Sequence, residues 1–373
     1  MSKVEWKTIS SICVPLKKET LKQSELIDEG QYAVINSGTG VYGFYNRYNN
    51  EGNVLVVASR GENAGYISFM NQRFWAGGLC YPYRSKNEDC VLTKFLYYYL
   101  KSKEEQIMDT LVARGSIPAL NKVDFDNYKV PIPASFDEQR QIVSQLDIFT
   151  TLIAKLESEL TLRQKQYEFY REKLLNFDGD EEVEWKTMKE VFNIRNGYTP
   201  SKSNKAYWEG GTIPWFRVED IRTNGRLLSE SSLHINPEGV KGELFPANSI
   251  ILSTSATIGE HALLLVDCLA NQRFICLTIN DKYKEKLLVK FVFYYMFKVD
   301  EWCVNNTNIA GFASVDMSKF YTLCFPIPKD QHRQQQIVSQ LDTFEQLIAA
   351  LKREIALRRK QYDYYREKLL TFE

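Results

Sequence analysis

The sequence predicts a mixed α/β protein in which two domains of similar fold are joined by a long antiparallel intramolecular coiled coil with pseudo-two-fold symmetry. The first observation behind this prediction is that the heptapeptide QIVSQLD occurs twice, at 141–147 and at 336–342. The second is an apolar heptad pattern that continues from each copy. The third is the region before each copy, where short apolar runs such as 54–58 alternate with polar and glycine-containing loops.

The repeat extends beyond QIVSQLD and sets the domain boundaries. Matching phrases keep the same order in both halves: VEWKT at 4–8 and 183–187, NQRF at 71–74 and 271–274, PIP at 131–133 and 326–328, and YREKLL at 170–175 and 365–370. An internal repeat of this kind indicates two copies of one structural unit. We therefore predict a first domain at 1–134, a first spacer helix at 135–177, a linker at 178–182, a second domain at 183–329 and a second spacer helix at 330–373.

The two predicted helices carry the same apolar seam. Its residues recur in alternating steps of four and three, a spacing that a helix of period 3.6 does not keep on one face over this length. The predicted seam residues are Ile142, Leu146, Phe149, Ile153, Leu156, Leu160, Ile337, Leu341, Phe344, Ile348, Leu351 and Ile355. Arg163 and Arg358 take the next seam position, where an arginine can pair across the coil, bind a partner protein or remain solvated.

The direction of pairing follows from chain connectivity. Ser135 and Glu138 predict a capping box at the start of the first helix, and Asp330 and Arg333 take the same two positions in the second copy. A helix over 136–177 is roughly 60 Å long at 1.5 Å per residue. Parallel helices would require the second domain to return along this whole length, so we predict antiparallel pairing.

Composition excludes several classes of protein. Lys plus Arg and Asp plus Glu both total 47, so the chain lacks the overall basic charge of many autonomous DNA-binding proteins. Its 7 cysteines include no C-x-x-C pair and it has 3 histidines, which predicts neither a disulfide framework nor a metal site. The longest apolar runs are far too short to span a bilayer, and the N-terminus lacks the features of a secretory signal. We expect a cytoplasmic protein with no membrane partner.

Two similar domains at a fixed separation suit a target that presents two sites at a fixed separation. Duplex DNA repeats every 34–36 Å or so and has local two-fold symmetry. The domains differ in sequence while the helices are nearly copied, as expected if each domain reads a different half-site and the coil sets the gap. A coiled-coil adaptor or scaffold that binds protein ligands without DNA specificity explains the same pattern, and the residues alone leave both hypotheses open.

The order of the repeated phrases resembles one known family. A variable domain, PIP, the E-Q-x-x-I-V-x-x-L-D motif at 138–147 and a long helix, all repeated, are similar to the specificity subunit of type I restriction-modification systems. The phrases ALNK at 119–122, GTIPWFRVEDI at 211–221 and TSATIG at 254–259 agree with this resemblance, and Arg333 departs from it where Glu138 stands in the first copy.

The resemblance implies two target-recognition domains that each read one half of an interrupted sequence in double-stranded DNA. It implies two methyltransferase subunits as partners, which dock on the coil and methylate adenine with S-adenosylmethionine. It further implies restriction subunits that translocate DNA using ATP, and no cofactor in this chain itself.

Motifs of independent catalysis are weak or absent. Residues 38–43 match G-x-G-x-x-G, but an apolar strand rather than a helix follows, so we expect a glycine-rich loop between strands. The E-x-K phrases at 5–7 and 184–186 occur in many nucleases, yet we expect them to place a packing tryptophan at each domain start. A Walker A loop and the N-P-P-Y or D-P-P-Y motif of adenine methyltransferases are absent, which disfavours an autonomous DNA-modifying enzyme. We predict no catalytic residues.

DNA contacts are then expected from polar and cationic side chains of the two domains. In the first domain the candidates are Tyr42 and Arg47 in the loop 37–47, and Arg60, which ends a predicted strand. In the second domain they are Asn196, Tyr198, Lys202, Arg217, Arg222, Ser255 and Thr257. Arg73 and Arg273, which lie in the shared NQRF, are expected to hold the fold or contact phosphate rather than specify bases.

Overall fold

The computed structural model describes residues 4–308 and 313–372, and its contacts divide the chain into two compact units. The first unit consists of Met1–Leu160 and Leu351–Glu373, and the second of Thr161–Ala350. Each unit contains the chain region that precedes one long helix, which we call a head, with the beginning of that helix and the end of the other.

The first head is built from short strands and four helices that precede a long one. Its strands are β1 (Val4–Thr8), β2 (Cys13–Pro15), β3 (Tyr32–Ile35), β4 (Gly43–Tyr45), β5 (Val54–Ala58), β6 (Ile67–Met70), β7 (Phe74–Ala76), β8 (Cys80–Ser85), β9 (Val112–Ala113), β10 (Ala119–Leu120) and β11 (Lys129–Pro133). Its helices are α1 (Ile9–Ile12), α2 (Thr93–Ser102), α3 (Glu104–Leu111) and α4 (Lys122–Asp126), followed by the long helix α5 (Phe136–Leu174).

The second head has the same kind of order. Its strands are β12 (Val183–Thr187), β13 (Phe192–Asn196), β14 (Ile213–Phe216), β15 (Leu227–Leu228), β16 (His234–Ile235), β17 (Ile250–Ser253), β18 (His261–Leu264), β19 (Leu269–Ala270), β20 (Phe274–Ile279), β21 (Thr307–Asn308), β22 (Ser314–Val315) and β23 (Cys324–Pro328). Its helices are α6 (Met188–Val191), α7 (Val218–Asn224), α8 (Asp281–Lys284), α9 (Val289–Asn305) and α10 (Met317–Thr322), followed by the long helix α11 (Gln331–Leu370).

Strand pairing shows that the two heads share one fold. The sheet order β2-β8-β5-β6 of the first head matches β13-β20-β17-β18 of the second, where β15 adds a further strand. A smaller sheet, β4-β3-β7, matches β16-β14-β19, and in both the central strand pairs in parallel with the last one. The predicted α/β heads of similar fold are confirmed.

The apolar runs are central strands with a core on each face. In β5, Leu55 and Val57 belong to the core that the helices cover, whereas Val54 and Val56 belong to a second, smaller core. Strand β17 divides in the same way, with Ile250 and Leu252 in the larger core of the second head. Because successive side chains of a strand point to opposite faces, a continuous apolar run marks burial on both sides.

The repeated phrases at the ends of each head pair with one another. In the antiparallel ribbon of β1 and β11, VEWKT lies against the PIP strand, with Trp6 opposite Pro131. Strands β12 and β23 form the same ribbon, with Trp185 opposite Pro326. Proline donates no backbone hydrogen bond, which suits a strand of a two-stranded ribbon. Both ends of each head therefore lie side by side.

The long helices pair in antiparallel fashion within each unit. In the first unit, Phe149 of α5 stacks on Tyr365 of α11 at 5.3 Å between ring centroids, and Glu157 accepts a 2.6 Å hydrogen bond from Arg359. In the second unit, Tyr170 stacks on Phe344 at 5.4 Å, and the Tyr167 hydroxyl donates to Glu345 Oε1 at 3.1 Å. As the residue number rises along one helix it falls along the other, and every predicted seam residue is buried or half-buried. The antiparallel coiled coil is confirmed.

Arg333 has a structural reason for its departure from the first copy. Its guanidinium lies 2.6 Å from the carboxylate of Asp180 in the linker and 5.1 Å from the ring centroid of Phe177. The hydrogen bond from Arg333 is the main cause that lowers the pKa of Asp180. The second helix begins normally, since Asp330 Oδ1 accepts from His332 N at 2.8 Å as an N-cap. Arg333 therefore anchors the linker.

Within the part of the chain that the structure describes, no helix combines the length and the apolar character that crossing a membrane requires.

Candidate nucleic-acid interface

The two sheets of the first head meet at one end, through the short segment 77–79. This segment connects β7, which runs parallel to β3, with β8 of the larger sheet. Gly77 N donates to Ile35 O at 2.7 Å, and Ser59 N, just after β5, donates to Leu79 O at 2.9 Å. The loop after β2 joins the same region, because Glu19 N donates to Ala76 O at 2.9 Å.

The second head repeats this arrangement through segment 271–273. Asn271 N donates to Phe216 O at 3.0 Å, Thr254 N donates to Arg273 O at 2.8 Å, and Tyr198 N donates to Ala270 O at 2.9 Å. We call this end of each head the crossover edge. It comprises segment 77–79 with the loops after β2, β3 and β5 in the first head, and segment 271–273 with the loops after β13, β14 and β17 in the second.

In the first head the structure brings some of the predicted residues together and separates others. Tyr42 is 46% exposed in the loop after β3, and Arg60 is exposed in the turn after β5, so both lie at the crossover edge. Arg47 follows β4, and Arg73 precedes β7, which places them at the opposite end of the small sheet. Arg73 also forms an ion pair with Glu51 at 2.7 Å, and its guanidinium lies 4.7 Å from the Tyr48 ring centroid.

In the second head the predicted residues all belong to the crossover edge. Asn196 ends β13, and Tyr198 and Lys202 lie in the loop that follows it. Arg217 and Arg222 lie in the segment after β14, and Ser255 and Thr257 lie in the turn after β17. Arg273 lies in the segment that bridges these loops.

The side chains at this edge differ in how firmly the protein holds them. The Tyr198 hydroxyl donates to Gly239 O at 3.1 Å and accepts from Lys241 N, so it supports the neighbouring turn. Arg217 donates to Ser232 Oγ at 3.1 Å. Lys202 and Arg273 are exposed, and neither forms an ion pair with the residues at 4–308 and 313–372. The exposed cations are therefore the side chains best placed to meet an anionic ligand.

Arg60 and Ser255, predicted separately in the two heads, occupy equivalent positions. Arg60 forms a β-bridge with Ala119, and Ser255 forms the matching bridge with Ser314. The next residue has a positive φ in both heads, 93° at Gly61 and 66° at Ala256. This conformation is unfavourable for alanine, and strained residues of this kind cluster at functional sites. One turn of the fold thus presents different side chains in the two heads.

Arg73 and Arg273 do not occupy equivalent positions in the two heads, although both lie in NQRF. The first NQRF precedes β7 of the small sheet, whereas the second connects β19 to β20. The true counterpart of 271–273 in the first head is 77–79, because both segments make the same pair of backbone hydrogen bonds. The same four residues therefore occupy different positions in the two heads. Strand register depends on which distant strands pair, and a tetrapeptide does not determine that.

Several residues of the edge were not predicted from the sequence. The loop after β2 carries Lys17, Lys18 and Lys22, all exposed, and Lys18 Nζ donates to Gly78 O at 2.9 Å. Partial burial is the main cause that lowers the pKa of Lys18. Leu79 is 41% exposed at the position that Arg273 takes in the second head. The three lysines within 17–22 could have indicated a cationic surface from the sequence alone, but no local sequence feature indicated that Leu79 lies at this edge.

A buried polar cluster lies behind the edge in the second head. His261 is 0% exposed, and its Nδ1 lies 2.7 Å from Asp300 Oδ2, which Arg226 also contacts at 3.0 Å. Burial lowers the pKa of His261 and favours its neutral form. These contacts tie β18 to α9 inside the second head.

The expectation of a packing tryptophan in the E-x-K phrases is wrong. Trp6 is 50% exposed and Trp185 is 39% exposed, because both lie on a two-stranded ribbon that no further sheet covers. Glu5 and Lys7 pair with each other at 3.1 Å, and Glu184 and Lys186 pair at 3.0 Å. Among residues 4–308 and 313–372 there is no cluster of three or more His, Cys, Asp or Glu side chains that could hold a metal ion.

Comparison with known proteins gives a consistent result. The family model for the type I restriction modification DNA specificity domain matches residues 1–162 and 180–357. The EcoR124I/EcoR124II specificity subunit of Escherichia coli is 32% identical over 355 residues, covering 87% of this chain and 84% of that protein. The EcoprrI specificity subunit of Escherichia coli is 51% identical over 215 residues, 55% of this chain, and this match spans about half of the relative, 53% of its length.

A solved structure supports the fold independently. The S subunit of a type I restriction-modification system from M. genitalium superposes with a TM-score of 0.69 at 19% identity, covering 100% of this chain and 97% of that one. The role of this family is DNA sequence recognition, and its members are not the catalytic subunits. Since the family model spans both heads and most of both long helices, the chain belongs to the family of type I restriction-modification DNA specificity subunits.

Proposed function

We propose that each head reads one half of an interrupted sequence in double-stranded DNA with its crossover edge, and that the coiled coil sets the gap between the halves. The observation that supports this proposal is that the two heads share one backbone fold at the crossover edge but present different side chains there. The two crossover edges are built by the same hydrogen bonds, yet they present Arg60 in one head and Ser255 in the other. Different side chains on a shared scaffold are what two different half-sites require.

Exposed cations supply the sequence-independent part of binding. Lys17, Lys18 and Lys22 in the first head and Lys202 and Arg273 in the second are exposed and would contact phosphates, which position a protein on DNA without specifying bases. The chain has zero net charge overall, so we expect weak DNA affinity for the isolated chain and stronger affinity in a complex.

The partners we propose are two methyltransferase subunits, which would hold S-adenosylmethionine and methylate adenine, and restriction subunits that would use ATP. Exposed apolar side chains on the coil support a partner present in two copies. Leu162 and Phe169 are 60% and 62% exposed, one heptad apart, and Leu357 and Tyr364 repeat them in the second helix at 57% and 58%. Two large apolar side chains on one exposed helix face, kept at the same positions in both copies, suit a partner surface better than isolated exposed residues would.

The test is a genome-wide map of methylated adenines in cells with and without this chain. We expect one interrupted motif to lose methylation when the chain is absent. The variant Arg60→Ala should change methylation through one half of that motif only, while Arg47→Ala, which removes an exposed arginine at the opposite end of the small sheet, serves as the matched control. An unchanged map would refute the proposal, and a protein adaptor without DNA specificity would then remain.

A further inference from the structure

We infer that Asp147 and Asp342 are positioning residues that fix the direction in which each head faces on its own coil helix, and thereby restrict the gap that the protein accepts. This inference rests on the function proposed above. Both carboxylates are the last residue of QIVSQLD, but neither belongs to the apolar seam. They face the head instead of the partner helix.

In the first head the contacts form two fixed points. Lys94 Nζ lies 2.8 Å from the Asp147 carboxylate, and the Tyr98 hydroxyl donates to Asp147 Oδ1 at 2.5 Å. Two turns earlier on α5, Gln139 is 1% exposed; its Oε1 accepts from Leu92 N at 3.1 Å and its Nε2 donates to Cys90 O at 3.0 Å.

The second head has the same two fixed points. Lys290 Nζ lies 2.8 Å from Asp342 Oδ1, and the Tyr294 hydroxyl donates to the same oxygen at 2.5 Å. Gln334 is 0% exposed; its Oε1 accepts from Leu288 N at 3.0 Å and its Nε2 donates to Lys286 O at 2.7 Å. Helices α2 and α9 differ in most residues but keep lysine and tyrosine four residues apart, on one helix face.

Two directional contacts define an orientation where apolar packing alone does not. Gln139 and Asp147 are separated by roughly 12 Å along the helix at 1.5 Å per residue. Apolar burial is non-directional, whereas a hydrogen bond weakens steeply when its angle departs from linearity. Burial raises the pKa of both Tyr98 and Tyr294, so both hydroxyls stay protonated and able to donate. A head tied at two such points cannot rotate about the helix.

Orientation matters because a change in gap is also a rotation. One base pair moves a half-site by roughly 3.4 Å along B-DNA and turns it by roughly 35°, given 10–10.5 base pairs per helical turn. A coil of fixed length therefore selects one gap only if the heads cannot turn on it. Removing the carboxylate contacts should permit a head to follow a half-site displaced by one base pair.

The experiment measures methylation by the full chain assembled with its methyltransferase partner. DNA substrates carry the mapped half-sites at the native gap and at gaps one base pair shorter and longer. For Asp147→Ala and for Asp342→Ala, we expect the preference for the native gap to fall at least about tenfold, equivalent to 1.4 kcal/mol. Asp109→Asn removes an exposed ion pair within the first head, Asp109 to Arg114 at 2.6 Å, and should keep the native preference.

Tyr98→Phe and Tyr294→Phe keep the inference testable if an aspartate variant fails to assemble, since each removes only one hydroxyl. They should lower the preference in the same direction and leave recognition of the half-site bases unchanged. If the wild-type complex prefers the native gap strongly and the variants keep the same preference, this inference alone is overturned. A wild-type complex without any gap preference would overturn the proposed role of the coil and this inference together.

Discussion

Removing one heptad from both long helices should shorten the recognised gap by about three base pairs. The deletions are 156–162 in α5 and 351–357 in α11, which are the same heptad in the two copies. Seven residues at 1.5 Å each shorten a helix by about 10.5 Å. One base pair occupies roughly 3.4 Å of B-DNA, so the shorter coil corresponds to a gap about three base pairs shorter. Three base pairs also turn a half-site by roughly 105°. The deletion is therefore combined with Asp147→Ala and Asp342→Ala, which let both heads turn, and the deletion with both aspartates intact should methylate more weakly at the new gap.

The deletion preserves the seam because Arg163 then follows Ile153 at the spacing that Leu156 had, and Arg358 follows Ile348 in the same way. The assay is sequencing of methylated adenines in cells that carry the shortened chain. A control that deletes two residues from each helix turns the following seam residues by roughly 200°, away from the facing helix, and should abolish methylation. A shortened chain that methylates at the original gap, or that recognises different half-site bases, would refute the role of the coil as a spacer.

Four further outcomes are expected. Leu146→Ala and Leu341→Ala each remove a side chain that is 0% exposed, so each should lower the free energy of unfolding by about 2–5 kcal/mol in denaturant titration. The control Leu162→Ala, at an exposed position, should change it by no more than about 0.5 kcal/mol. A thiol reagent at pH 8 should label Cys90 and Cys324, which are exposed, and reach the five buried cysteines only after unfolding; rapid labelling of all seven would contradict the structure. Burial raises the pKa of Tyr99 and Cys13 to about 12, and since the unfolded chain loses these protons at lower pH, the free energy of unfolding should fall as pH rises from about 9 to 12; a flat profile would contradict this. If Lys202 contacts a phosphate, Lys202→Ala should reduce the slope of log affinity against log salt by about one in the complex, without changing base preference.

The repeat and the coil could be predicted because their signals are local and periodic. The seam from Ile142 to Leu160 follows from spacing alone, and its copy from Ile337 to Ile355 identifies the partner helix. Connectivity then decides the direction of pairing, which the stacked pair Phe149 and Tyr365 confirms together with the hydrogen bond from Arg359 to Glu157.

The crossover edge was only partly predictable because it depends on pairing between distant strands. Arg60 and Ser255 were found as polar residues at strand ends, but their equivalence depends on bridges to Ala119 and Ser314. The shared NQRF did not mark equivalent positions for the same reason, because four matching residues do not determine which strand follows them in the fold. Trp6 was expected to pack because tryptophan is usually buried to a large extent, whereas a ribbon of two strands leaves one face open.

The ribbons of β1 with β11 and β12 with β23 have an evolutionary consequence. Each head enters and leaves through two neighbouring strands whose sequences recur in the other half of the chain. Recombination between such copied stretches of a gene would exchange everything between them as one cassette. The incoming segment would arrive with its own closing ribbon, so a new specificity could be acquired without rebuilding the rest of the molecule.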